Sequence, residues 1–203
     1  MKQPVNTRYD AVRLDYRVIS SLIAGGSSVL DLGCGTGEQL ALLVQEKQVR
    51  AQGIELDEQA IYACVARGLS VFHGDIDSGL ADYADRSFDY VLLNQSLQQV
   101  KKIETVLNDA LRVGRKVIVG FPNFAHVTAR LQIFFRGRTP VTPSLPYEWH
   151  DTPNLHFLSI TDFTEYCGKH CITIEQAVFL GGREIIRMLP NLLARTAIFL
   201  VAQ

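Results

Sequence analysis

The chain has 203 residues, 47% of them hydrophobic and 20% charged, which excludes a disordered or fibrous polymer and suits one α/β domain with its own core. Twenty basic side chains against twenty-one acidic ones leave a formal net charge of -1, so no overall field draws in nucleic acid or an anionic membrane. The opening stretch MKQPVNTRYDAVRLDY lacks the apolar run of a secretory leader, and nowhere do about 18 consecutive apolar residues follow, so a cytoplasmic protein is expected.

From Ser28 onward, short β-branched runs alternate with longer amphipathic stretches. This is the pattern of βαβ units in a doubly wound, mostly parallel, seven-stranded sheet. The strands are expected at 28–31, 50–55, 69–73, 88–93, 116–121, 171–179 and 196–202. Between them Leu40, Leu43 and Val44 recur at helical spacing, as do Ile61, Cys64 and Val65, and then Val106, Leu107, Ala110 and Leu111. After the fifth strand the alternation breaks: 122–158 holds Pro122, Pro140, Pro143, Pro146 and Pro153, and reads as a cap or partner-binding segment inserted into a single 1–203 domain. Ser159 and Asp162 form a Ser-x-x-Asp pair before Phe163 and Tyr166, a helix start. Cys34, Cys64, Cys167 and Cys171 are expected as free thiols. Cys167, His170 and Cys171 lie close together but lack a second ligand pair at zinc spacing, and no metal is expected.

The strongest local signal is VLDLGCGTGE, an apolar strand that ends in Asp31 and runs into a turn with Gly33, Gly35 and Gly37. Glycines there let a ligand approach the backbone closely. A dinucleotide site would want a third glycine where Glu38 stands, and Asp31 suits a cationic ammonium or sulfonium better than a diphosphate. The segment resembles motif I of class I methyltransferases that use S-adenosylmethionine (SAM). Glu55 ends the second strand, where its two carboxylate oxygens can accept both hydroxyls of a ribose, with Leu56 beside it. Asp75 follows the third strand and can accept a hydrogen bond from an adenine amino group, and Ile76 could pack on that ring. Any one of these acids could equally be a helix cap or a solvated turn; their place at successive strand ends argues for a cofactor. Asn94, at the end of the fourth strand, completes the candidate set for SAM or S-adenosylhomocysteine.

The loop that follows, LNQSLQQV, contains no ionisable base. It also lacks the Asn/Asp-Pro-Pro-aromatic motif of enzymes that methylate nucleobases, so nucleic acid is not expected as substrate. A sulfonium is a good leaving group and transfer can run largely on proximity, so the missing base lowers the case for catalysis without ending it.

From Phe121 the run FPNFAHVTARLQIFFRGRTPVTPSLPYEWHDTPNLHFLSITDF, together with VLDLGCGTGE, FDYVLLNQSLQQV, LRVGRK and the late LPNLLA, resembles the bacterial MetW family of methionine-biosynthesis proteins. The resemblance covers nearly the whole chain, although 181–187 is shorter and less basic than the family's stretch before LPNLLA. It implies a role beside homoserine O-acyltransferase, as a SAM-binding subunit that supports or regulates that enzyme. The alternative is a catalytically active SAM-dependent methyltransferase acting on a small molecule. In the middle run Arg130, Arg136 and Arg138 alternate with Leu131, Ile133, Phe134 and Phe135, which reads either as a cap helix with solvated arginines or as an interface. His150, His156 and Asp151 could form an acid/base or metal cluster, or be separate surface groups.

Overall fold

The computed structural model describes residues 13–203; the leader reading at the N-terminus falls, through residue 12, outside them. Helix α1 (Leu14–Leu22) precedes a regular alternation: β1 (Ser28–Leu32), α2 (Glu38–Lys47), β2 (Arg50–Glu55), α3 (Glu58–Ala66), β3 (Ser70–His73), β4 (Phe88–Asn94), α4 (Ile103–Val113) and β5 (Gly114–Pro122). Then come α5 (Val127–Arg136), α6 (Ile160–Lys169), β6 (Thr173–Leu180), the short α7 (Pro190–Leu193) and β7 (Thr196–Ala202).

All seven strands join one sheet in the order β3-β2-β1-β4-β5-β7-β6. The first five are parallel, and β7 runs antiparallel to both β5 and β6. The order reverses between β1 and β4, so the connections leaving those strands diverge and open a crevice at their carboxyl ends. The central strands are covered on both faces, which is why they read as continuous apolar runs: Val29, Leu30 and Leu32 of β1 are fully buried, as are Val117, Ile118, Val119 and Phe121 of β5. One face packs Leu107, Ala110, Phe163 and Cys167 from α4 and α6 around Phe121 and Phe199, whose rings stack at 5.9 Å. The other packs Ile19, Leu40 and Leu43 from α1 and α2 against Val29 and Ile198.

The seven strands lie where the sequence puts them, with small shifts: β6 begins at Thr173 because Cys171 adopts a left-handed turn at φ 56°. Two helical faces differ from expectation. Val44 and Val65 are exposed, and α3 meets the sheet through Ala60 and Cys64, because a short helix over a twisted edge buries a narrower stripe. Helix α1 was not expected, although Leu14, Val18, Ile19 and Leu22 recur at helical spacing.

Helix α6 starts with the full reciprocal cap: Ser159 Oγ accepts from the Asp162 N–H at 3.1 Å and the Asp162 carboxylate accepts from the Ser159 N–H at 3.2 Å. Ser159→Ala should cost about 1 kcal/mol, read as a lower urea midpoint at unchanged slope. Among the described residues no helix is long and apolar enough to cross a membrane.

Candidate functional site

The crevice at the sheet's switch point has a volume of about 600 Å³. Its floor is the turn after β1. Gly33 and Gly35 take φ 77° and 54°, which side chains rarely adopt, and a Cβ on Gly33 would stand 3.0 Å from that of Ser96. Glu55 ties this turn to the next one: one carboxylate oxygen accepts from the Gly35 N–H at 2.7 Å, and the other from the N–H groups of Leu56 and Asp57 at 2.8 and 3.0 Å. Asp75 caps a single 3-10 turn by accepting from the Asp77 N–H at 2.9 Å, which sets Ile76 on the crevice wall. Asp77 in turn accepts from the N–H groups of Lys101 and Lys102, fastening this wall to the connection after β4.

Asp31 is 3% exposed and faces the crevice from the end of β1. Among the described residues it has no hydrogen-bond or ion-pair partner. Burial, with the nearby Glu55 charge adding to it, pushes its carboxyl up to about 7. Asn94 donates through Nδ2 to Gln39 Oε1 at 2.8 Å and to Asp15 Oδ2 at 3.5 Å, while its own Oδ1 is buried with no donor among the described residues. Gln39 Nε2 and Ser96 Oγ are likewise buried without partners among the described residues. Buried unpaired atoms also occur away from the crevice, at His156, Tyr166 and Asn191, so it is the buried Asp31 carboxylate that marks this site.

Of the residues singled out from the sequence, Asp31, Gly33, Gly35, Glu55, Leu56, Asp75, Ile76 and Asn94 all line this crevice. Gly37 does not. It caps α2 at φ 74°, and a Cβ there would come within 2.5 Å of Leu69 and 2.7 Å of Cys64, so close packing accounts for this glycine. Sequence reasoning missed Arg13, Tyr16, Gln39 and Lys101, which also line the crevice. The helical spacing of Leu14, Val18, Ile19 and Leu22 marks the helix that carries Tyr16, with Arg13 just before it, but not the strand ends it covers. Burial pushes the Tyr16 phenol and the Cys34 thiol up, so neither is a ready base.

The connection after β4 is held by its own amides. The Gln95 carbonyl accepts from the side chains of Gln98 and Gln99 at 2.9 and 3.0 Å. The Gln98 carbonyl accepts from the N–H groups of Leu155 and His156 at 2.9 and 3.1 Å, so the segment after α5 is clipped directly onto the crevice rim. Helix α5 buries only Ala129 fully, leaving Phe134, Phe135 and, further along, Trp149 between 74% and 80% exposed. An apolar groove of about 510 Å³ runs between Ile133, Arg138, Trp149 and Phe157. His150 lies 3.8 Å from Glu148 and does not join His156, whose Nε2 is buried without a partner among the described residues. Among the described residues no three His, Cys, Asp or Glu side chains gather as metal ligands.

A family model described as methionine biosynthesis protein MetW matches residues 13–201. A bifunctional methionine biosynthesis protein MetXA/MetW from Rhodopirellula baltica is 36% identical over 200 residues, covering 92% of this chain and 32% of its own length. The chain thus spans about a third of that relative. A SAM-dependent methyltransferase from Mesorhizobium loti superposes with a TM-score of 0.71 at 13% identity, covering 96% of this chain and 99% of its own. The [4+2]-cyclase SpnF superposes at 0.64 with 15% identity, covering 93% and 80%. The fold is therefore that of class I SAM-dependent methyltransferases, and a cyclase on the same fold means that fold alone does not fix the chemistry.

Proposed function

The chain belongs to the MetW family of methionine-biosynthesis proteins, and from that premise we propose that it is a SAM-binding subunit that supports or regulates homoserine O-acyltransferase in the cytoplasm. Residues 1–203 act as one domain, with 122–158 as the partner-binding segment. Asp31 takes the cationic amino-acid end of SAM or S-adenosylhomocysteine. Glu55 takes the ribose, beside Leu56. Asp75 and Ile76 take the adenine. Gly33 and Gly35 give the cofactor room, and Asn94 completes the lining at the switch point.

The observation that carries this reading is the contrast between the two sides of the crevice. The cofactor side keeps a buried carboxylate that is unpartnered among the described residues, whereas the connection after β4 carries no ionisable group through 93–100 and turns the amide nitrogens of Gln98 and Gln99 back onto the Gln95 carbonyl. Fusion of MetXA and MetW in one relative, with MetXA read as the acyltransferase, supports their working side by side. The exposed Phe134, Phe135 and Trp149, set among Arg130, Arg136 and Arg138, have the composition of an interface core. The second reading, an active SAM-dependent methyltransferase for a small molecule, is favoured by the open second cavity beside the crevice.

A titration of homoserine O-acyltransferase with this protein, at zero and at saturating SAM, tests the proposal. Partner affinity should change at least about fivefold with SAM, because a ligand shifts an assembly only through its different affinity for the two forms. Trp149→Ala should weaken the complex. Binding indifferent to SAM removes the regulatory role, and S-adenosylhomocysteine released from a candidate acceptor decides for the enzyme.

A further inference from the structure

Next to the cofactor crevice is a second cavity of about 810 Å³. Its wall carries Arg13 and Arg17 from the start of α1, Arg183 from the connection after β6, and Arg195 from the residue before β7. Among the described residues Asp15 is the one carboxylate that lines it, and it is already held by Arg13 at 2.7 Å. Neither Arg183 nor Arg195 has an ion-pair partner among the described residues. Arg195 is half-buried and fixed in place: its N–H donates to the Leu180 carbonyl at 2.7 Å and its own carbonyl accepts from Asn123 at 2.8 Å. Its guanidinium lies along the Gly182 backbone, 3.5 Å from where a Cβ would stand.

Guanidinium groups brought together repel one another, and a half-buried one without a counter-ion gives up hydration for no return. Such an arrangement is favourable once an anion sits in it, and the planar fork of each guanidinium matches carboxylate and phosphate oxygens two at a time. Ser144, Thr196 and Gln95 add neutral donors to the same wall. We infer that this cleft is a binding site for a small dianionic acid, a dicarboxylate or a phosphate monoester, held by Arg183 and Arg195. Arg13 and Gln95 line both cavities, so the acid lies against the open side of the crevice. This site goes beyond the proposed cofactor and partner roles and does not depend on either.

Calorimetric titration of the full chain with succinate and, separately, inorganic phosphate, in a buffer of low chloride, tests the inference. Saturable 1:1 binding of at least one probe is expected, weakened about tenfold or more in Arg183→Gln and in Arg195→Gln. Lys116→Gln should bind like wild type, because Lys116 sits at the far end of β5 and is paired with Glu175. Phosphate alone binding assigns a phosphate ester, and succinate alone assigns a dicarboxylate. Arg183 is exposed, so its variant decides the matter even if Arg195→Gln fails to fold. The inference is overturned if neither probe saturates, if Arg183→Gln binds like wild type, or if Lys116→Gln weakens binding equally. SAM titrated into Arg183→Gln is the separate readout: failure there counts against the cofactor assignment and leaves the anion site standing.

Discussion

SAM affinity should climb about tenfold per pH unit between roughly pH 5 and pH 7, then level off until the ligand's own α-amino group deprotonates near pH 8. The cause is Asp31, whose buried carboxyl keeps its proton up to about 7 in the unliganded chain. A cationic ligand wants the carboxylate. Below that pH each binding event must expel a proton, so affinity falls as pH falls; above it the site is already charged. The same shift has the opposite sign for folding. The unfolded chain ionises this side chain at its ordinary value, so stability of the unliganded protein falls as pH rises from about 4 to 7, and the bound cation restores it. Calorimetry at pH 5, 6, 7 and 8, in pairs of buffers with different ionisation enthalpies, measures both affinity and proton release. Asp31→Asn should flatten the profile and lower the plateau. A slope that survives in Asp31→Asn assigns the proton to another group.

Glu55→Ala should weaken SAM about ten- to a hundredfold, the range for losing a charged group with several hydrogen bonds. Two losses combine. The ribose loses its acceptors, and the N–H groups of Gly35, Leu56 and Asp57 lose the oxygens that now hold two turns in register. Glu55→Gln separates them, because an amide oxygen can keep one of those turns while giving up the charge. Equal affinity in wild type and a folded Glu55→Ala would falsify the ribose assignment. If Glu55→Gln is as weak as Glu55→Ala, charge rather than turn geometry governs the site.

The strand positions were legible in the sequence because a sheet covered on both faces needs runs such as VIVGF and AIFLVA, and nothing else in a short chain has that composition. The crevice was legible for a related reason: Asp31, Glu55 and Asp75 each stand just where an apolar run stops. Gly37 shows the limit of that reading. In the sequence it is one of three equivalent glycines, whereas in space its hydrogen faces Cys64 and Leu69, which are far away along the chain. Arg13 and Tyr16 were hidden for a similar reason, because a helix before the first strand carries no mark of which strand ends it will cover. The second cavity draws its arginines from both ends of the described chain, and only the antiparallel return of β7 beside β5 brings them together.

The two hydrogen bonds that join the Gln98 carbonyl to Leu155 and His156 also bear on the order in which the molecule assembles. They close a loop that contains α4, β5 and α5, so the rim of the crevice cannot reach its final form until those elements are in place. Releasing the Leu155 side of that loop in the folded protein gives up these two bonds and little buried apolar surface, because Leu155 is exposed, whereas Leu97 and Val100 on the other side are anchored in the core. The Leu155 and His156 amides should therefore be among the first to exchange their hydrogens, well ahead of β1 and β5.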